Sequence, residues 1–210
     1  METVWQAMIS GISPLELVAA GATIVNVYLA TKNKISCWYW GIVSVSLYGY
    51  VFYQSRLYSS MGLQLLYYLP MQFYGWWMWT RGGKQTATSS GDPAQERELP
   101  ITRLSLKKRL GWIGINLPLA AALGYLMSHT GAQLTYLDAL ATAMSVTAQY
   151  LLTHRFIENW VLWITIDVIY AGYLLPQQGL YVSVGLYVIL GILSSLGLRQ
   201  WSRIKKGEAK

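Results

Sequence analysis

Seven long apolar stretches, separated mostly by short polar clusters, constrain this chain more than any other feature of its sequence. A bilayer core is about 30 Å thick, so a helix needs about 20 mostly apolar residues to cross it. Hydrophobic residues make up 54% of the 210-residue chain and charged residues only 12%, about half the charged fraction of a soluble domain. We therefore predict an all-α, polytopic membrane protein. The predicted spans are Ser13–Thr31, Ser36–Gln54, Tyr58–Thr80, Leu110–Ser128, Thr135–Thr153, Ile157–Leu175 and Leu180–Gln200.

The distribution of the basic residues predicts how these spans are oriented. Of the 16 Lys and Arg residues, all except Arg56 fall on one side of the predicted membrane. Cytoplasmic loops are enriched in Lys and Arg, so the N-terminus should lie outside and the C-terminus in the cytoplasm. The net charge of +7 is then a signal of topology, and we expect no nucleic-acid partner. A single cysteine, Cys37, excludes an intramolecular disulfide.

An internal repeat is indicated when the chain is laid over itself with an offset of 123 residues. The offset places Leu29 on Leu152, Trp40 on Trp163, and Gly62 on Gly185. Spans one to three then match spans five to seven, and the fourth span joins two parallel three-helix repeats, an arrangement known among transporters. The predicted parts are a first repeat with the N-terminal segment (1–80), a loop and linker helix (81–134), and a second repeat with a basic tail (135–210). A duplicated bundle without a transport role is the alternative.

The sixth predicted span carries polar and aromatic side chains on one face. Asn159, Trp163, Asp167 and Tyr170 follow one another at spacings of three or four residues, which places them on the same side of a helix. A carboxylate near the middle of a span costs about 2.5–3.5 kcal/mol on insertion scales, and such acids usually face a cavity or a partner. Trp and Tyr rings beside an acid suit a flat cation, through stacking and cation–π attraction. The alternative is an acid that is buried for packing alone.

The third predicted span carries a second polar stripe. Gln64, Tyr68 and Gln72 lie at helical spacing within an apolar stretch, and amides can bind hydroxyls or carboxamides without adding charge. Hydrogen bonding between helices is the alternative role. Glu16 and Asp138 each open a span, where a helix N-terminus favours an anion, so capping is the expected role of both. The segment Arg81 to Lys108 is predicted to be a flexible, solvated linker.

Two segments resemble the PnuC family of bacterial nicotinamide riboside transporters. They are residues 159–175, with the pattern Asn-Trp-x-x-Trp-x-x-x-Asp-x-x-Tyr, and residues 53–79, with two glutamines eight residues apart before Tyr-Gly-Trp-x-x-Trp. The resemblance implies a bacterial inner-membrane protein that has no cofactor, no bound metal and no enzymatic activity. It also implies facilitated uptake of nicotinamide riboside, which a cytoplasmic riboside kinase traps by phosphorylation. Membrane lipid and a possible homo-oligomer are the other expected partners. The implied substrate-binding residues are Gln64, Tyr68, Gln72, Asn159, Trp163, Asp167 and Tyr170.

Other functions stay open from the residues alone. A facilitator of another vitamin or of a sugar could share the architecture, although it would not need an acid beside the aromatic rings. An intramembrane enzyme could use Asp167 with Tyr170 or His154, but the sequence contains no nucleophile, metal-ligand or nucleotide-binding motif. A membrane scaffold would need no polar stripes in the middle of two spans.

Overall fold

A computed structural model describes residues 13–54, 58–87, 99–129, 135–177 and 181–207. These residues form seven continuous helices and contain no β-strand. Both the all-α class and the number of helices are therefore confirmed for this part of the chain. The helices are α1 (Pro14–Thr31), α2 (Cys37–Gln54), α3 (Tyr58–Gly62, a π-helical segment Leu63–Tyr68, and Leu69–Ala87), α4 (Leu106–Ser128), α5 (Thr135–Thr153), α6 (Glu158–Ile169, a π-helical segment Tyr170–Leu174, and Leu175–Gln177) and α7 (Tyr181–Lys205).

The start of α1 shows how local sequence determines a helix boundary. The Ser13 hydroxyl accepts a hydrogen bond from the backbone N–H of Glu16 at 3.1 Å, and Pro14 occupies the first helical position. Serine satisfies an otherwise unpaired N–H at a helix start, and proline there has no N–H to leave unpaired. The predicted boundary at Ser13 is thus explained by its cap.

The apolar helices expose much of their surface. Among the described helices, α1 and residues 183–205 of α7 are long and apolar enough to cross a membrane by length and hydropathy alone. Only 22% of the first stretch and 11% of the second is buried inside the protein. A helix from the core of a soluble protein would be mostly buried, whereas apolar surface in contact with lipid needs no protein cover.

The chain divides into two compact units, Met1–Pro100 and Ile101–Lys210. In the first unit, α2 packs against both α1 and α3. In the second unit, α4 packs on α5, α5 on α6, and α6 on α7. Helix α4, which the sequence predicts to be a linker, therefore packs on α5 within the second unit.

The loops after α1 and α5 have the same hydrogen-bonded geometry. The Lys34 N–H donates to the Leu29 carbonyl at 3.0 Å, and the Phe156 N–H donates to the Leu151 carbonyl at 2.9 Å. Each loop also contains one residue with positive φ: Asn33 (56°) and Arg155 (54°). The members of each pair are 122 positions apart, one fewer than the offset that sequence identities predict.

Each unit also contains an edge-to-face pair of tryptophans. The Trp38 and Trp79 rings lie 5.2 Å apart at 90°, and the Trp160 and Trp201 rings lie 5.4 Å apart at 89°. One ring of each pair packs on a glycine, Trp38 on Gly75 in the first unit and Trp160 on Gly197 in the second. These positions are again 122 residues apart, so the two units have the same contact at the same place.

Two π-helical segments explain why identities indicated an offset of 123. A turn closed by i→i+5 hydrogen bonds holds one more residue than an α-helical turn. The segment Tyr170–Leu174 therefore lengthens α6 by one residue relative to α2, and Leu63–Tyr68 later lengthens α3 relative to α7. Between the two segments the offset becomes 123, the value at which the sequence places Gly62 on Gly185. Outside them it is 122, so the predicted matches Leu29–Leu152 and Trp40–Trp163 are wrong by one residue.

The predicted linker from Arg81 to Lys108 is shorter than expected. Helix α3 continues to Ala87, α4 begins at Leu106, and residues 88–98 lie outside the described part of the chain. Residues 99–105 are not a free linker, because the Thr102 N–H donates to the Arg155 carbonyl at 3.0 Å and the Leu104 N–H donates to Glu158 Oε2 at 3.1 Å. Arg109 also pairs with Glu158, at 2.7 Å, so this segment is bound to the start of α6.

Candidate functional site

Asp167 is a buried carboxylate in the α-helical part of α6. Its residue is 4% exposed, and the Ser194 hydroxyl of α7 donates a hydrogen bond to Oδ2 at 3.1 Å. Gly191 lies one turn before Ser194, and a Cβ there would make an ordinary van der Waals contact with the Asp167 Cβ, at 3.4 Å. The sequence predicted the acid but not its hydroxyl partner, which is 27 residues further along the chain.

Tyr170 begins the π-helical segment of α6 and contacts two other helices. Its hydroxyl donates to Asp138 Oδ1 of α5 at 2.9 Å. Its ring stacks on Tyr187 of α7, with the centroids 4.8 Å apart and the planes at 29°. Asp138 was expected only to cap its helix, so the structure adds it, together with Tyr187, to the surroundings of a predicted site residue.

Trp163 and Asn159 precede Asp167 on α6 but differ in their surroundings. Trp163 lies one turn before Asp167 and is partly exposed, so its ring is accessible from outside the unit. Asn159 is fully buried and its side-chain NH₂ donates to the Phe156 carbonyl at 2.6 Å. Among the described residues, the Asn159 Oδ1 atom has no hydrogen-bond partner. Asn159 and Asp167 are eight helical positions apart, about 12 Å along the axis, so Asn159 lies more than two turns from the acid.

The three predicted residues of the first unit lie on α3. Gln64 and Tyr68 are part of its π-helical segment and are partly exposed. Gln72 is only 6% exposed, and its Oε1 atom has no hydrogen-bond partner within the part of the chain that the structure describes. A Cβ on Gly41 of α2 would overlap this oxygen and would lie 2.6 Å from Asn26 Nδ2. Glycine at position 41 thus lets two amide side chains approach the backbone of α2.

An apolar groove of about 510 Å³ in the second unit lies away from these residues. None of the predicted site residues lines it. It contains the Arg109–Glu158 ion pair and a hydrogen bond of 3.0 Å from Thr147 to Asn116. Its lining is otherwise mostly aliphatic, which in a membrane suits lipid chains rather than a polar solute.

The chemistry that the two units offer is therefore different. The second unit supplies a buried carboxylate and aromatic rings, the combination that attracts an organic cation. The first unit supplies a buried amide, which recognises hydroxyl and carboxamide groups. No group of three or more His, Cys, Asp or Glu side chains suited to a metal ion occurs among the described residues.

Comparison with known proteins decides the family. The model of the family described as nicotinamide mononucleotide transporter matches residues 13–203. This chain belongs to that family. The predicted resemblance to PnuC is confirmed, because the relatives of this chain in the family carry that name.

Two relatives and one solved structure show how similar the family members are. A protein of Neisseria mucosa named nicotinamide riboside transporter PnuC is 33% identical over 178 residues, covering 80% of this chain and 66% of that protein. The Escherichia coli protein of the same name is 29% identical over 215 residues, covering 90% of this chain and 85% of its own length. The crystal structure of a vitamin B3 transporter PnuC matches with a TM-score of 0.72 at 28% identity, covering 99% of this chain and 88% of that chain.

Proposed function

We propose that this protein is a membrane transporter that takes up nicotinamide riboside by facilitated diffusion. The observation that carries the proposal is the buried Asp167 carboxylate one helical turn from Trp163, in a chain of the PnuC family. Family membership supports transport, and the acid beside an aromatic ring supports a cationic, ring-containing substrate.

Nicotinamide riboside combines a flat, positively charged pyridinium, a carboxamide and a ribose. Trp163 and Tyr170 would stack on the ring, and Asp167 would supply the counter-charge. Gln64, Gln72 and Asn159 would bind the carboxamide and ribose, since Gln72 and Asn159 each have a buried side-chain oxygen without a partner among the described residues. Tyr68 completes the proposed set of substrate-binding residues.

A buried carboxylate also favours the riboside over its phosphorylated form. A phosphate brings about two negative charges at neutral pH, and a like charge near Asp167 opposes its entry. Phosphorylation by a cytoplasmic riboside kinase would then hold the substrate inside the cell. Net uptake would follow without energy from the transporter itself.

The architecture proposed for this function is the 3+1+3 arrangement of two parallel repeats. The equivalent loop and tryptophan contacts of the two units, 122 residues apart, support it. The division at residues 80 and 134, the N-terminus outside and the C-terminus in the cytoplasm of a bacterial inner membrane remain parts of this proposal. Surrounding lipid, possible homo-oligomers, and the absence of a cofactor and of catalysis are also parts of it.

Uptake by proteoliposomes tests the proposal. Purified protein should fill vesicles with labelled nicotinamide riboside only to the outside concentration, and a riboside kinase with ATP inside should raise the total label further. Asp167→Asn should slow uptake, whereas Thr165→Val should not, because Thr165 is exposed on the same helix and its hydroxyl bonds the Val161 carbonyl. Accumulation driven by an ion gradient would contradict facilitated diffusion, and no uptake at all would contradict the substrate.

A further inference from the structure

Asp138 is an acid at the start of α5 whose carboxylate contacts a residue of the proposed site. Its Oδ1 atom accepts the hydrogen bond from the Tyr170 hydroxyl at 2.9 Å. Asp138 and Tyr170 are 32 residues apart, so the contact joins two helices of the second unit. A hydrogen bond to an ionised group is stronger than one between neutral groups.

The same tyrosine is held on a second side by an aromatic contact. Tyr187 of α7 stacks on it at 4.8 Å between centroids. The ring and the hydroxyl of Tyr170 are thus each held by a different helix. The hydroxyl proton is directed at Asp138, so Tyr170 would contribute its ring to binding rather than a hydrogen-bond donor.

Tyr170 lies where the backbone of α6 changes from α-helical to π-helical turns. Tyr170 is the first residue of the π-helical segment, and its N–H bonds both the Ile166 and Asp167 carbonyls. The change from α- to π-helical turns alters the angular spacing of the side chains that follow. The contacts with Asp138 and Tyr187 therefore determine how the ring is held at this transition.

We propose that Asp138 is a positioning residue for the substrate site. It anchors the Tyr170 hydroxyl, so that the ring stays stacked on Tyr187 and keeps its place in the proposed site for a flat cationic ring. This inference rests on the proposed function, because the ligand is the nicotinamide ring of that proposal. Asp138 acts through Tyr170 and needs no contact with the substrate.

A double-mutant cycle on affinity for nicotinamide riboside, measured by calorimetry, tests this role. Asp138→Ala and Tyr170→Phe should each weaken binding about ten-fold, or about 1.4 kcal/mol. The double variant should lose no more than either single variant, since both remove one interaction. Asp138→Asn keeps an oxygen acceptor and should stay within about three-fold of wild type. Glu16→Ala, which removes an acid from the start of α1, is the matched control and should bind normally.

Two results would overturn the inference. If the losses of the single variants multiply in the double variant, Asp138 acts independently of Tyr170. If Asp138→Asn loses as much as Asp138→Ala, the charge matters rather than the anchored hydroxyl.

A second measurement needs no ligand and so separates this inference from the proposed function. Fluorotyrosine placed at position 170 reports the ring environment by ¹⁹F NMR. Its signal should shift in Asp138→Ala and, to a smaller extent, in Asp138→Asn, but not in Glu16→Ala. An unchanged signal in both Asp138 variants would refute the anchor, whatever the transported substrate is.

Discussion

Helices α2 and α6 carry a different residue at the equivalent position, Gly41 in α2 and Trp163 in α6. The loop contacts that precede both helices fix this correspondence at 122 residues. In the first unit, glycine admits the Gln72 side chain, because a Cβ at Gly41 would overlap its Oε1 atom. In the second unit the same place holds a partly exposed indole.

A second difference lies one turn further along the same helices. Val45 in α2 corresponds to Asp167 in α6, and Gln72 in α3 corresponds to Ser194 in α7. The second-unit pair is hydrogen-bonded at 3.1 Å, whereas the first unit combines an aliphatic side chain with an amide. Both units keep the tryptophan pair on a glycine. The shared contact thus maintains the packing of the helices, while the inner positions differ as an asymmetric ligand requires.

The largest loss of stability is expected at the tryptophan–glycine contact that the two units share. Gly197→Ala would place a Cβ 2.6 Å from the Trp160 ring, and Gly75→Ala would overlap the Trp38 ring. A buried indole ring is rigid and cannot move away from the added methyl group. Each variant should therefore lose about 1–3 kcal/mol of stability. Thermal unfolding of the purified protein measures this loss. Gly185→Ala, in the same helix as Gly197 but facing open space, should lose none. Tolerance of only one of the two tight substitutions would show that the contacts are not equivalent.

A smaller loss of stability is expected at Gly41, whose equivalent in the second unit is Trp163. Gly41→Ala should displace the Gln72 amide, which is the end of a flexible chain, at a cost of about 1 kcal/mol. Affinity for nicotinamide riboside should fall about five-fold, because the displaced amide belongs to the proposed site. Calorimetry measures this affinity. Gly21→Ala is the control, because a Cβ at position 21 would meet nothing within 4 Å. Equal affinities for the two variants would remove Gln72 from the site.

The smallest effect concerns the hydroxyl that bonds the acid. Ser194→Ala removes the donor to Asp167, and the expected cost in stability is about 1 kcal/mol. Ser195→Ala is the neighbouring control, because the Ser195 hydroxyl bonds the Gly191 carbonyl of its own helix at 2.8 Å. Chemical or thermal unfolding should separate the two variants. If Ser195→Ala is the more destabilising of the two, the Ser194–Asp167 contact does not stabilise the second unit.

Much of the fold was predictable because apolar stretches and polar breaks mark helix ends directly. The predicted spans that end at Thr31, Ser128 and Thr153 match the structure at those ends. The register of the repeat was not predictable, since a π-helical turn adds a residue without any sequence marker. The docking of residues 99–105 onto Glu158 was also missed, because it depends on a contact between distant segments.

The site was predictable only as a set of residue types. Helical spacing placed Trp163, Asp167 and Tyr170 on one helix, but spacing says nothing about partners on other helices. The partners Ser194 and Asp138 come from α7 and α5. Asn159 has suitable chemistry, yet its amide bonds the preceding loop, which a periodicity argument does not anticipate.

The central claim is that Asp167 provides the counter-charge for a cationic substrate. Asp167→Asn keeps the size of the side chain and an oxygen that can accept the Ser194 hydrogen bond, and it removes only the charge. Calorimetry should therefore show a loss of about ten-fold or more for nicotinamide riboside, or at least about 1.4 kcal/mol. The uncharged reduced riboside should lose less than about three-fold on the same variant. An equal loss for both ligands would make Asp167 a structural residue, and unchanged affinity for both would place the substrate site elsewhere.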